Sequence, residues 1–133
     1  MRIAEYTEYN EEEIAGLYKA VGWVAYTNDL ESLRKGFENS LAVLAAYDGD
    51  KLVGIIRAVG DGATILFLQD ILIYPEYQRQ GIGSASIRDL LDRYRNVRQI
   101  ELVTDNTPRT IAFYKSLGFR EFSEIGCCGF MKC

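Results

Sequence analysis

Two apolar runs, residues 41–47 and 51–59, flank Asp48-Gly49-Asp50. An Asp-Gly step between apolar segments is a strong short-range hairpin signal, because glycine supplies the positive φ that a tight turn needs. Gly60-Asp61-Gly62 makes a second turn. It leads into a long β run, Thr64 to Tyr74, which Pro75 closes because proline cannot donate to a ladder. Three successive strands therefore occupy the middle of the chain, and the remainder has to cover them.

Helical periodicity supplies the cover. From Glu11 onward Ile14, Leu17, Tyr18 and Val21 share one face, and Gly22 ends the run. Asn28 or Asp29 caps a second helix with Leu30, Leu33 and Phe37 on its buried stripe, ending near Asn39. A third helix opens near Gly81, with Ile82, Ala85, Ile87, Leu90, Leu91 and Tyr94 expected inward. Thr107 caps a fourth, with Pro108 at its first position and Gly118 as its stop. Short strands are expected at 2–6 and 99–103, and two more, 119–124 and 127–132, at the end. The order β-α-α-β-β-β-α-β-α-β-β predicts an α+β or α/β arrangement around a mixed sheet. A length of 133 residues suits one domain over 1–133.

Composition narrows the chemistry. No apolar run approaches the ~20 residues needed to span a bilayer, and Glu5, Glu8 and Glu11 sit too early for a signal peptide, so a cytoplasmic protein without membrane partners is expected. There is no histidine. That excludes Ser-His-Asp and Cys-His catalysis and imidazole metal sites. Cys127, Cys128 and Cys133 match no zinc spacing, so no metal is expected and the thiols read as reduced and structural. A net charge of -4 argues against a nucleic-acid surface. Arg88, Arg93, Arg95 and Arg98 alternate with Asp89 and Asp92, a pattern of helix-face ion pairs rather than of RNA binding. Residues 1–77 carry 6 Lys/Arg against 13 Asp/Glu, whereas residues 78–120 carry 8 against 4. This asymmetry suits a cationic substrate on one side and an anionic cofactor on the other, or simply two solvated faces.

The informative segment runs from Gln69 to Ser84, QDILIYPEYQRQGIGS. A strand ends at a proline, a short polar loop follows, and two glycines stand at the mouth of a helix. The N-terminus of a helix presents unpaired N–H groups and partial positive charge, which together hold an anion. Gly81 and Gly83 allow close approach, and Arg79 adds a charged donor. A P-loop would end in Gly-Lys-Ser/Thr, and no lysine is present; a dinucleotide fingerprint would need glycine where Ser86 stands. A third, competing reading is the pyrophosphate loop of an acyl-CoA enzyme.

On Gln78, Gly81 and Gly83 following such a strand, and on the later segment Ala112-Phe113-Tyr114-Lys115-Ser116-Leu117-Gly118-Phe119, the chain resembles the GNAT superfamily of acyl-CoA-dependent N-acyltransferases over essentially its whole length. The resemblance implies a three-layer fold with a mixed, mainly antiparallel sheet flanked by about four helices. It implies transfer of an acetyl group from acetyl-CoA, as co-substrate, to a primary amine of a small molecule or peptide, and it is compatible with a homodimer. Backbone groups of Leu72 and Ile73 would pair with the pantetheine arm, and Gln78, Arg79, Gln80, Gly81, Ile82, Gly83 and Ser84 would hold the pyrophosphate. The family often has asparagine seven positions before the helix tyrosine; here that position is Thr107, whose residue type suits an N-cap, and the neighbouring Asn106 is the candidate cofactor contact.

Tyr114 matches the helix tyrosine, and a phenol of pKa ~10 can protonate the departing thiolate. Its alternative is a core aromatic. The attacking ammonium must lose a proton, and Asp70, alone in an apolar strand, is the candidate base, its pKa lifted by burial; otherwise it is a strand-end aspartate held by backbone hydrogen bonds. Trp23, Tyr26 and Thr27 form an aromatic-polar cluster that either lines an amine pocket or fills the core. The competing function is a non-catalytic acyl-CoA-binding module, which needs the loop but not the acid.

Overall fold

The Asp-Gly turn forms as the sequence predicts. In the computed structural model, which describes residues 1–133, β2 (Ala42–Asp48) and β3 (Lys51–Gly60) pair antiparallel with Asp48 opposite Lys51, and Gly49 takes φ 62° in the turn. β4 (Ile65–Ile73) pairs antiparallel with β3. β1 (Arg2–Glu5) adds to β2, and β5 (Gln99–Leu102) adds parallel to β4, giving a five-stranded mixed sheet in the order β1-β2-β3-β4-β5.

Met1–Leu102 forms one compact unit and Val103–Cys133 a second. The first is layered about the sheet. α1 (Glu11–Ala20) and α3 (Leu30–Glu38) cover one face, where Ile14, Leu17, Tyr18, Leu33 and Phe37 pack on Ala45, Leu52, Ile55 and Leu72. α4 (Ile82–Arg93) sets Ile82 against Ala46 and Val53 elsewhere in this unit. β3 is central, which explains a run buried without a break from Leu52 to Ala58, where an edge strand would alternate. Asp29 caps α3 by accepting from the Ser32 N–H at 3.1 Å. A four-residue helix, α2 (Val24–Thr27), fills the break between α1 and α3. On α4 the inward position expected for Ala85 belongs to Ser86, which satisfies its hydroxyl on the Ile82 carbonyl at 2.8 Å, while Ala85 is exposed. Arg93 and Arg95 pair with Asp89 and Asp92.

In the second unit, α5 (Pro108–Ser116) begins as expected, with Thr107 Oγ1 accepting from the Thr110 N–H at 3.2 Å. The two closing strands are not formed. Residues 122–125 make a 3-10 turn instead, because Glu121 and Glu124 close a capping box and Gly126 ends it at φ 77°. Lys115 holds the same two carboxylates at 3.4 and 3.1 Å, so local polar bonds prevail over the weak alternation of the sequence. Cys127, Cys128 and Cys133 are free and exposed, and the structural role expected for them is therefore corrected.

Candidate functional site

β4 is built to expose part of its edge. β5 pairs with it only from Ile65 to Leu68. Between Arg57 and Ala58 the β3–β4 register slips, leaving Gln69 unopposed as a bulge. From Gln69 to Ile73 the strand has β3 on one side and no strand on the other. The peptide geometry says which groups point outward. The Tyr74 N–H bonds the Val53 carbonyl at 2.9 Å, and all peptides are trans, so the Ile73 carbonyl points away from β3. Ladder alternation then turns the N–H and C=O of Ile71 and Ile73 outward and those of Leu72 toward Ile55. Ile73 thus stands where the sequence reading needs it. The expectation for Leu72 is corrected: its backbone belongs to the ladder, and it is Ile71 whose groups face outward beside those of Ile73.

The chain leaves this edge through a 3-10 turn, Pro75–Tyr77, and a loop that doubles back. Gln78 returns its side-chain amide to the Ile73 carbonyl at 3.0 Å, and Gln80 donates to the Glu76 carbonyl at 3.2 Å. Arg79, at φ 64°, is the sole non-glycine residue in the left-handed region. Gly81 follows at φ 82° as the N-cap of α4, and it offers no side chain to the first-turn amides of Ile82, Gly83 and Ser84. A Cβ built at Gly81 would meet nothing within 4 Å, so the space before these amides is open. Such a cradle of amides and dipole, flanked by exposed Arg79, fits a phosphate group. Ile82 differs from its neighbours: it is buried, contributing its amide while its side chain packs inward.

Asp70 follows the bulge on β4 and is 2% exposed. Its surroundings are not apolar. Arg57 Nε donates to Oδ2 at 2.8 Å, the Tyr18 phenol donates to Oδ2 at 2.8 Å, and the Tyr26 phenol donates to Oδ1 at 3.2 Å. Arg57, 6% exposed, sends Nη1 to the Gly36 carbonyl and Ser40 Oγ, both at 3.3 Å, and lies over the Phe37 ring. Burial opposes the guanidinium charge, but the Asp70 carboxylate outweighs it and lifts Arg57 above its ordinary range. Burial first, and the Asp70 charge second, push the Tyr18 phenol far up. This is a compensated buried ion pair, and the solitary Asp70 expected from the sequence is corrected accordingly. Arg57 and Tyr18 were missed as site residues. The signal available was one lone charge in each of two strands that the hairpin and its neighbour bring side by side.

Trp23, Tyr26 and Thr27 divide. Trp23 stacks on Tyr26 at 6.0 Å and is 39% exposed, so it is not a core residue. Tyr26 touches Tyr18 at 5.1 Å, and its phenol accepts from Gln69 at 3.4 Å while donating to Asp70. Thr27 turns its hydroxyl back to the Val24 carbonyl at 3.1 Å and closes its own short helix. Beside Tyr26 opens a cavity of about 270 Å³ lined by Ala25, Asp29, Ser32, Leu33, Gly36 and Arg57.

In the second unit Tyr114 is half-buried on α5, edge-to-face with Phe113 at 5.0 Å and with Phe119 at 5.9 Å. Burial raises its phenol above the usual value. Asn106 is exposed in the loop ahead of α5.

Comparison with known proteins places this geometry. An acetyltransferase of the GNAT family from Streptococcus pneumoniae TIGR4 superposes with a TM-score of 0.91 at 37% identity, covering 99% of this chain and 96% of that one. An uncharacterized N-acetyltransferase, ycf52, from Pyropia yezoensis is 29% identical over 114 residues, 83% of this chain. The chain spans 64% of that relative's length. An aminoglycoside 6'-N-acetyltransferase solved with coenzyme A shares the fold at 19% identity and a TM-score of 0.67, covering 89% of this chain and 74% of that one. The model of the acetyltransferase (GNAT) family matches residues 5–119, and the chain belongs to that family.

Proposed function

We propose that the protein transfers an acetyl group from acetyl-CoA to a primary amine, by direct attack of the amine on the thioester. One observation carries the reading: the open edge of β4 is followed, after a short turn and loop, by a glycine-capped helix start, which pairs a hydrogen-bonding strip for an amide-rich arm with a seat for its pyrophosphate. The coenzyme A bound to a protein of the same fold supports it. Ile71 and Ile73 offer the backbone groups, the amides of residues 82–84 and the Arg79 guanidinium hold phosphate, and Gln78 and Gln80 brace the loop.

Tyr114 donates the proton that the leaving thiolate needs. Its raised pKa keeps that proton in place across the neutral range. Asp70 does not take the proton from the amine. Both its oxygens already accept hydrogen bonds from protein donors, and it holds Arg57 in place beside the cavity. The amine enters the reaction as the free base, its proton lost to water.

Acetyl-CoA should raise the melting temperature, because a ligand of the folded state stabilises by mass action. Gly83→Asp is the decisive variant. Gly83 sits in the first turn of α4 without a positive φ, where an acidic side chain suits the helix dipole but repels phosphate. The variant should melt no lower than wild type yet lose the acetyl-CoA shift. A retained shift in a folded Gly83→Asp protein would overturn the phosphate seat.

A further inference from the structure

The cavity beside Tyr26 has a chemistry of its own. Its wall includes Arg57, more than nine-tenths buried. Nε and Nη1 of that guanidinium are engaged and the Tyr18 phenol lies against it as well, whereas Nη2 has no well-aligned acceptor in the protein. Gly36 keeps the wall thin, since a Cβ there would stand 3.3 Å from Nη1. Asp29 lines the cavity with its oxygens on the Ser32 N–H and hydroxyl, a carboxylate in no salt bridge, with Lys35 the cation that acts on it from farther off. Burial-free hydrogen bonding to Ser32 keeps Asp29 below the usual carboxylate range.

Charge and hydrogen-bond inventory define the occupant. Asp70 already neutralises Arg57, so a carboxylate ligand would add a third negative group against one positive. A neutral carbonyl satisfies Nη2 without that conflict, and a single cation satisfies Asp29. The cavity also adjoins the opened strand: Tyr26 lines it and bonds both Gln69, at the bulge, and Asp70. We propose that this cavity docks the acetyl acceptor and takes a primary amine carrying an adjacent amide carbonyl, as an amino-acid amide or a peptide amino terminus does, with Asp29 facing the ammonium and Arg57 the carbonyl.

This deepens the reading of the preceding subsection and rests on it, so its test begins with binding in the absence of acetyl-CoA. Titrations use alaninamide, propylamine (no carbonyl) and N-acetylalaninamide (no charge). Alaninamide should bind about tenfold or more tightly than either, the worth of one charge-assisted hydrogen bond. Asp29→Asn keeps an equally good helix cap, removes the charge, and should weaken alaninamide about tenfold. Ala25→Leu, from an exposed position on α2, should fill the cavity and abolish binding. Equal affinities for alaninamide and propylamine, or an unchanged Asp29→Asn, would sink the proposal. Thiol release from acetyl-CoA with propylamine but not alaninamide overturns it while leaving acetyl transfer intact. Binding that follows the expected order without thiol release supports the cavity and counts against transfer.

Discussion

Replacing Asp70 by asparagine separates two roles that the sequence alone could not. If Asp70 is the partner of Arg57, its loss leaves a guanidinium at 6% exposure with two long bonds, to Gly36 and Ser40, and the Phe37 ring. Breaking a buried pair from one side costs about 3–5 kcal/mol. Asparagine keeps the size and one acceptor oxygen, which either the Tyr18 or the Tyr26 phenol can still use, so the expected loss lies near about 3 kcal/mol. Against a typical stability of about 5–15 kcal/mol this is large, and in a domain of this size it lowers the melting temperature by about 10 °C.

Urea unfolding followed by far-UV circular dichroism reads the loss as a lower midpoint at unchanged slope. Arg57→Met in the Asp70→Asn background should recover part of the loss, because the uncompensated charge is gone. Acetyl-CoA affinity should hold, since the phosphate seat lies on other residues. An Asp70→Asn protein as stable as wild type, with the rising limb of its pH–rate profile abolished, would make Asp70 the base and refute the ion-pair argument.

Other consequences follow from single groups. Tyr114→Phe should lower turnover about 10²–10⁴-fold with acetyl-CoA affinity unchanged, measured by thiol release and isothermal titration; wild-type turnover would reduce Tyr114 to packing. The phenols of Tyr6 and Tyr18 are raised in the folded state, chiefly by burial, and then by bonding to Glu13 and by the charge of Asp70, respectively. The unfolded chain therefore gives up those protons first. Stability is full below about pH 10 and falls as pH climbs past it toward the folded values. Thermal melts from about pH 8 to 11 should be flat and then decline; phenolate absorbance that titrates fully before unfolding would contradict the burial.

Much of the fold was legible because its signals are local. The Asp-Gly turn, the caps at Asp29 and Thr107, and Pro75 at the strand end each act within a few residues. The turn after Pro75 and the glycine cap of α4 were legible for the same reason. The Arg57–Asp70 pair was not, because it depends on the register between strands thirteen residues apart and on a bulge that places Asp70 opposite Arg57. The choice of Leu72 failed on that point too, since one residue of register decides which carbonyls face outward. At the chain's end the alternation of residues 119–132 suggested strands, but Lys115, Glu121, Glu124 and Gly126 make a tighter set of local bonds.

The assignment of Asp70 to Arg57 bears on which amine can react. The chain has no histidine and its buried carboxylate is committed, so on the proposed mechanism the acceptor brings its own lone pair. At pH ~7.4 an alkyl ammonium of pKa ~10.4 is free base to about one part in a thousand, a penalty of about 4 kcal/mol. An α-amine of pKa ~7.7–8.0 is about one-quarter free, a penalty below about 1 kcal/mol. Ionisation alone then favours the α-amine by about two orders of magnitude, before any contact is made. Asp29 favours the ammonium of either amine alike, so the two-order preference between them survives it. The adjacent carbonyl that lowers the amine's pKa is also the acceptor that Arg57 Nη2 lacks. On the proposed reading, the missing base and the unfilled donor favour the same chemical group.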